Sequence, residues 1–172
     1  NADPSTTYRS MIEPEQRRRH SDRRVSNVKS SMSLFVGYFA TTKKFPDVKH
    51  HTIVLGPRYR GLLDDIFDKK VLADDFSLYL HRPTASDPSL APPGQDAWYV
   101  LSPVPNLLSG TDWSETAERY RASIERLLSS TLLPGLGQSL VTSRLLTLQD
   151  FQDRLSSFRG AVSVDGQQAT QG

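Results

Sequence analysis

The apolar positions of the chain alternate between two periods, and the switches outline its elements. From 33 to 41 the sequence SLFVGYFAT is apolar except for its two ends and one glycine, and its aromatic and β-branched residues suit a pleated strand. At a period of two, Leu34, Val36, Tyr38 and Ala40 point one way and Phe35, Gly37 and Phe39 the other. Both sets are apolar, which predicts a central strand covered on both sides. Gly37 in its middle predicts a bulge, or a close approach by a ligand or backbone. Further strand-like runs lie at 52–55, 76–81, 97–102 and 140–145.

Helical spacing governs much of the rest. Gly56-Pro57 opens a helix to about 69, with proline at the first helical position, where its missing N–H costs nothing. Tyr59, Leu62, Leu63, Ile66 and Phe67 make its apolar stripe. Asp112 with Glu115 resembles a capping box and starts an amphipathic helix to about 129 on Trp113, Ala117, Tyr120, Ile124 and Leu127. Thr147 with Asp150 starts a last helix through Phe151, Leu155 and Phe158, and a short one is expected at 6–12, stopped by Pro14. The 82–95 connection holds four prolines and is expected to be extended, and 132–137 is a Pro/Gly break. Together these elements predict an α+β fold: a mixed, largely antiparallel sheet covered on one face by amphipathic helices.

Composition excludes several functions without naming one. A chain of 172 residues, 37% hydrophobic and 23% charged, reads as a globular domain with its own core. No apolar run approaches the ~18 residues that span a bilayer. The absence of cysteine excludes a disulfide framework, a cysteine nucleophile and a thiolate metal site. A net charge of +2 argues against a nucleic-acid partner, which would call for a concentrated basic face. One basic cluster stands out: Arg17, Arg18, Arg19, His20, Arg23, Arg24 and Lys29. It is a candidate docking surface for anionic lipid, at about 1 kcal/mol per charge near the membrane, or else a solvated face. Glu13, Glu15 and Asp22 dilute its field.

Other constellations are weaker. Adjacent residues on a strand point to opposite faces, so His50 and His51 should not share an ion; with no third ligand evident, no metal site is expected. The pairs Asp64-Asp65 and Asp74-Asp75 read as solvated. Gly135-Leu136-Gly137 lacks the third glycine and preceding strand of a dinucleotide loop. Phe35, Tyr38, Phe39, Tyr79, His81, Trp98 and Tyr99 all fall on expected strands, where they line an apolar ligand site above the sheet or fill the core.

Several stretches in order resemble the phytoene desaturase family: SMSLFVGYFAT (31–41), HHTIVLGPRYRGLLDDIF (50–67), DDFSLYLHRPTASDPSLAPPG (74–94), YVLSPVPNL (99–107), LLPGL (132–136) and DFQDRLSSFRGA (150–161). The likeness covers about 1–164 and implies the substrate-binding domain of an FAD-dependent carotenoid desaturase. It implies phytoene or a related C40 polyene as substrate, and a cytoplasmic enzyme held peripherally on a membrane. Residues 165–172 read as a polar tail. The family's flavin-binding regions, with their G-x-G-x-x-G, have no counterpart here, so this chain by itself is expected to bind no cofactor and to be inert. Both ends read as cut, and Gln95 stands where relatives commonly carry cysteine, so an excised or engineered scaffold without a ligand is the alternative expectation. A sheet face left uncovered is expected to self-associate.

Overall fold

The computed structural model describes residues 3–162; the expected tail at 165–172 lies outside them. The chain opens with a short helix, α1 (Pro4–Thr6), whose N-cap Asp3 accepts from the amides of Ser5 and Thr6. A π-helical turn extends it to Met11, and α2 (Asp22–Ser26) follows, capped by Ser21. The strands β1 (Ser33–Thr41) and β2 (His51–Val54) precede α3 (Tyr59–Asp64), which continues as a π-helical turn to Lys69. β3 (Leu78–His81) and β4 (Asp96–Val104) lead to the long α4 (Trp113–Ser130), then α5 (Leu136–Ser139), β5 (Leu140–Leu146) and α6 (Leu148–Leu155). The fold is α+β, with one five-stranded sheet in the order β2-β3-β4-β1-β5. Every pairing in it is antiparallel, rather than mixed. β4 takes the middle position expected of β1, which lies beside it.

Alternation decides which side of the sheet is core. Along β4 buried and half-buried residues alternate without exception. Phe35, Phe39, Leu78, Leu80, Trp98, Val100 and Val104 face α4, which contributes Trp113, Tyr120, Ile124 and Leu128. Phe35 packs 5.5 Å from Trp113 and edge-on to Tyr120 at 5.0 Å. Tyr120 shares a buried 2.7 Å hydrogen bond with Ser102, and burial pushes its phenol well above the ordinary range. α3 does less than its stripe suggested, since Leu62 and Ile66 are buried outside this core cluster.

Local chemistry explains the elements and two departures from expectation. Asp112 caps α4 through the Ser114 amide, and Thr147 with Asp150 forms a reciprocal capping box on α6. α6 stops at left-handed Ser156, so Phe158 falls in a separate 3-10 turn. The 82–95 connection is not simply extended: Pro83 and Pro88 each begin a 3-10 turn. The close neighbour of Gly37 is no ligand. A Cβ there would meet the Phe39 ring at 2.8 Å, so the glycine lets that ring lie flat in the core. The register irregularity of β1 falls instead between Ala40 and Thr41. Gly160 has φ +62°, and a Cβ there would meet the Leu148 carbonyl at 2.5 Å; its own carbonyl accepts from buried Ser33.

Two acidic residues hold the connections. Asp96, 1% exposed, accepts from the Phe45 amide at 2.8 Å, Thr84 Oγ1 at 2.7 Å and Arg82 Nη1 at 3.3 Å. Asp65 is no solvated acid: Lys69 Nζ lies 2.7 Å and Arg58 Nη2 3.1 Å from its oxygens, and Arg58 also reaches Asp75 at 2.5 Å.

Replacing Asp96 by alanine should cost about 3–5 kcal/mol in denaturant unfolding, because it strands the Arg82 charge in a buried site. Lys69 first, then Arg58, holds the Asp65 carboxyl below its usual value of 3.8. The folded chain therefore binds fewer protons there than the unfolded one, and stability rises with pH. Its contribution should be full above about pH 4 and vanish as pH falls through the lowered value. Unfolding of Asp65→Asn against pH should show a flatter acid limb.

Candidate functional site

The face turned away from α4 is the candidate site, and strand register assembles it. Tyr38 pairs with Tyr99 and Tyr99 with His81, which sets three ring side chains in one row across β1, β4 and β3. Tyr79 sits in the next row, opposite Leu101 on one side and Ile53 on the other. The row extends to Arg144 on β5 and His51 on β2. Tyr38 meets Tyr99 edge-on at 5.4 Å, and Tyr79 meets it at 6.2 Å. A shallow cavity of about 340 Å³ opens between them, with Tyr38, Tyr79, His81, Pro83, Ala97 and Tyr99 among its lining residues.

The structure divides the sequence-predicted residues in two. Tyr38, Tyr79, His81 and Tyr99 come together on the open face. Phe35, Phe39 and Trp98 lie in the core on the opposite face, at 1%, 4% and 2% exposure. Ile53, 70% exposed, belongs to the open face by register and had no signal beyond its strand parity.

Two titratable groups of the row are shifted toward their neutral forms. Burial, with the Tyr38 and Tyr79 phenols adding to it, raises the Tyr99 phenol above its ordinary range. Burial likewise lowers the His81 imidazole, with the His50 and His51 charges reinforcing it. No carboxylate lines the cavity, so it offers aromatic faces, two strands' worth of apolar contacts and hydroxyls rather than an acid–base pair.

The basic cluster is split as well. Arg17 is 9% exposed; its guanidinium donates to the carbonyls of Ile12 and Arg9 and pairs with Asp22 at 2.5 Å. Arg18, Arg19, Arg23 and Arg24 remain exposed. His20 stacks on Tyr8, with ring centroids 3.9 Å apart.

His50 and His51 do not diverge as their adjacency suggested. β2 begins at His51, so His50 lies outside the strand and is free of its alternation. Its ring meets His81, the third imidazole that sequence spacing did not reveal.

A flavin pyrophosphate does not fit the only paired glycines of the 132–137 break. They follow α4 rather than a strand, and a Cβ on Gly137 would meet the Glu125 carboxylate at 2.5 Å, a poor neighbour for phosphate. Among the described residues, no helix is long and apolar enough to cross a membrane.

No protein-family model matches the chain. It is 45% identical over 94% of its length to a neurosporene-forming phytoene desaturase of Rhodobacter capsulatus, covering 32% of that relative. To the neurosporene-forming enzyme of Cereibacter sphaeroides it is 47% identical over 94% of its length, again covering 32% of the relative. The lycopene-forming enzyme of Pantoea ananas is 41% identical over 96% of the chain, which covers 34% of it. The chain thus spans about a third of the length of the curated relatives it matches. Near-complete coverage at this identity makes the chain a phytoene-desaturase-like segment, related to the enzymes of carotenoid biosynthesis.

Proposed function

We propose that the open sheet face binds an extended apolar polyene, as the substrate-binding portion of a phytoene-desaturase-like flavoenzyme acting at a membrane surface. The observation that carries this function is the unequal burial of a single strand. Phe35 and Phe39 are 1% and 4% exposed, while Tyr38, between them in sequence, is 43% exposed. Leaving Tyr38 open forgoes burial energy of up to roughly 1.5–3 kcal/mol, which an apolar occupant would recover.

A polyene of the phytoene type is the occupant that fits. It is long, uncharged and unable to form hydrogen bonds, and the face combines three tyrosine rings with a neutral imidazole, Leu101 and Ile53. FAD, on this proposal, is held by the parts of the relatives outside the matched third, so the segment alone binds substrate without oxidising it. Arg18, Arg19, Arg23 and Arg24 provide the charge for an anionic lipid surface.

The two faces should answer differently to truncation of an aromatic ring. Phe39→Ala should cost about 3–5 kcal/mol through core loss, whereas Tyr38→Ser should cost under about 1 kcal/mol. Phytoene dispersed in mild detergent should be retained by the chain, and Tyr38→Asp with Tyr99→Asp should weaken retention by about tenfold or more. Unchanged retention in that double variant would remove the open face as the site. Equal stability losses at Phe39 and Tyr38 would show that both faces are ordinary core. Sedimentation with vesicles should require anionic lipid and fade as salt rises, and Arg23→Ser with Arg24→Ser should weaken it.

A further inference from the structure

The edge of the sheet carries an imidazole cluster, of which the proposed polyene site uses His81 alone. His51 opens β2, His81 closes β3, and the register sets them opposite each other. His50 folds back so that its Nε2 lies 2.8 Å from His81 Nε2. One ligand atom from each of the three residues lies within 4.8 Å of the other two. The whole chain has only four histidines, so three of them meet at one corner.

We propose that His50, His51 and His81 form a binding site for a divalent late transition metal, with zinc as the ion and a water in the fourth position. Imidazole is the preferred nitrogen donor for such ions. Zinc takes nitrogen at about 2.0–2.1 Å, which places tetrahedral ligand atoms about 3.3 Å from one another. The metal-free rings bracket that value, with the closest nitrogens 2.8 Å apart and the full set within 4.8 Å. Small side-chain rotations therefore seat the ion without moving the strands.

A second shell is already in place. Ser86 Oγ lies 2.9 Å from His50 Nδ1 and Tyr79 Oη 2.6 Å from His51 Nδ1. Each hydroxyl accepts the Nδ1 proton when Nε2 serves as ligand, which sets the tautomer and orients the ring. The ring centroids lie 4.3–5.0 Å apart. A metal ion supplies one cation that all three lone pairs can share. The ion would clip the residue before β2 and the start of β2 to the end of β3, independently of any polyene.

The test is a calorimetric titration of the untagged, chelator-treated 172-residue chain with zinc sulfate, in a buffer free of imidazole and phosphate. One zinc per chain should bind, and cobalt should give the intense visible bands of a tetrahedral site. His50→Ala, His51→Ala and His81→Ala should each weaken zinc by more than tenfold, and Ser86→Ala by about tenfold. His20→Ala, remote in sequence and stacked on Tyr8, should bind as the parent does. Circular dichroism screens the variants for folding, and exposed His51 supplies the decisive one if His81→Ala unfolds. Absence of saturable zinc binding, or binding indifferent to His50 and His51, would overturn the site.

Discussion

The Asp96 carboxylate is a buried charge at the first residue of β4, and its three partners come from two separate stretches of chain. A carboxylate this far from water is tolerable only when its lone pairs are filled and its charge is countered. Phe45 brings in the connection that follows β1, and Thr84 and Arg82 bring in the turn that follows β3. Those two connections would otherwise be long loops leaving the same end of the sheet. Docked on Asp96, they set Phe45 edge-on to Trp98 at 5.8 Å and fix the chain on either side of the histidines. Arg82 Nη1 reaches the carboxylate, while the Arg82 amide donates to the His50 carbonyl at 2.8 Å. The same residue thus joins the buried charge to the imidazole corner.

With that end anchored, the sheet is left with one covered face and one open face. α4 fills the first with a stripe of Trp113, Tyr120, Ile124 and Leu128 against Phe35 and Phe39. α3, which by its spacing was to share the work, buries Leu62 and Ile66 elsewhere and ends in an ion-pair network on Asp65. One long helix is enough because β4 alternates cleanly and puts Trp98, Val100 and Val104 on a single side. The second face is not polar in compensation. Tyr38, Tyr79 and Tyr99 turn apolar rings toward it, and that asymmetry is the observation behind the proposed apolar ligand.

Features set by neighbours in sequence were legible before the structure. The strand at 33–41, the capped helix from 113 and the Thr147–Asp150 box follow from local periodicity and local hydrogen bonds. The division of the aromatic residues was also implicit, since Phe35 and Phe39 differ from Tyr38 in parity; what the sequence could not say was which parity meets α4. Features set by long-range contact stayed hidden. Asp96 looks like a polar strand end because its partners lie 12 to 51 residues away. The histidine corner was hidden by one residue of strand boundary: the opposite-face rule holds within β2, and His50 stands just before it. Arg17 reads as one of a basic run, yet its carbonyl partners turn it inward.

The open face and the imidazole corner share His81, and electrostatics decides how both can serve. An apolar ligand requires a surface without charge, and desolvation supplies it in two directions, raising Tyr99 and lowering His81. The divalent ion proposed for the corner would occupy the His81 lone pair and place its own charge at the rim beside His51. Arg144, opposite Tyr38 on β5, puts a second cation at the other end of the row. A polyene lying along that row would meet a cation at each end. The neighbouring row of Ile53, Tyr79, Leu101, Val36 and Leu146 carries no charge across all five strands. On the proposed function, an extended apolar chain would therefore lie over the accessible part of this second row, from Ile53 through Tyr79 to Leu101, since Val36 is only 1% exposed, with the rings of Tyr38 and Tyr99 forming one wall of its path.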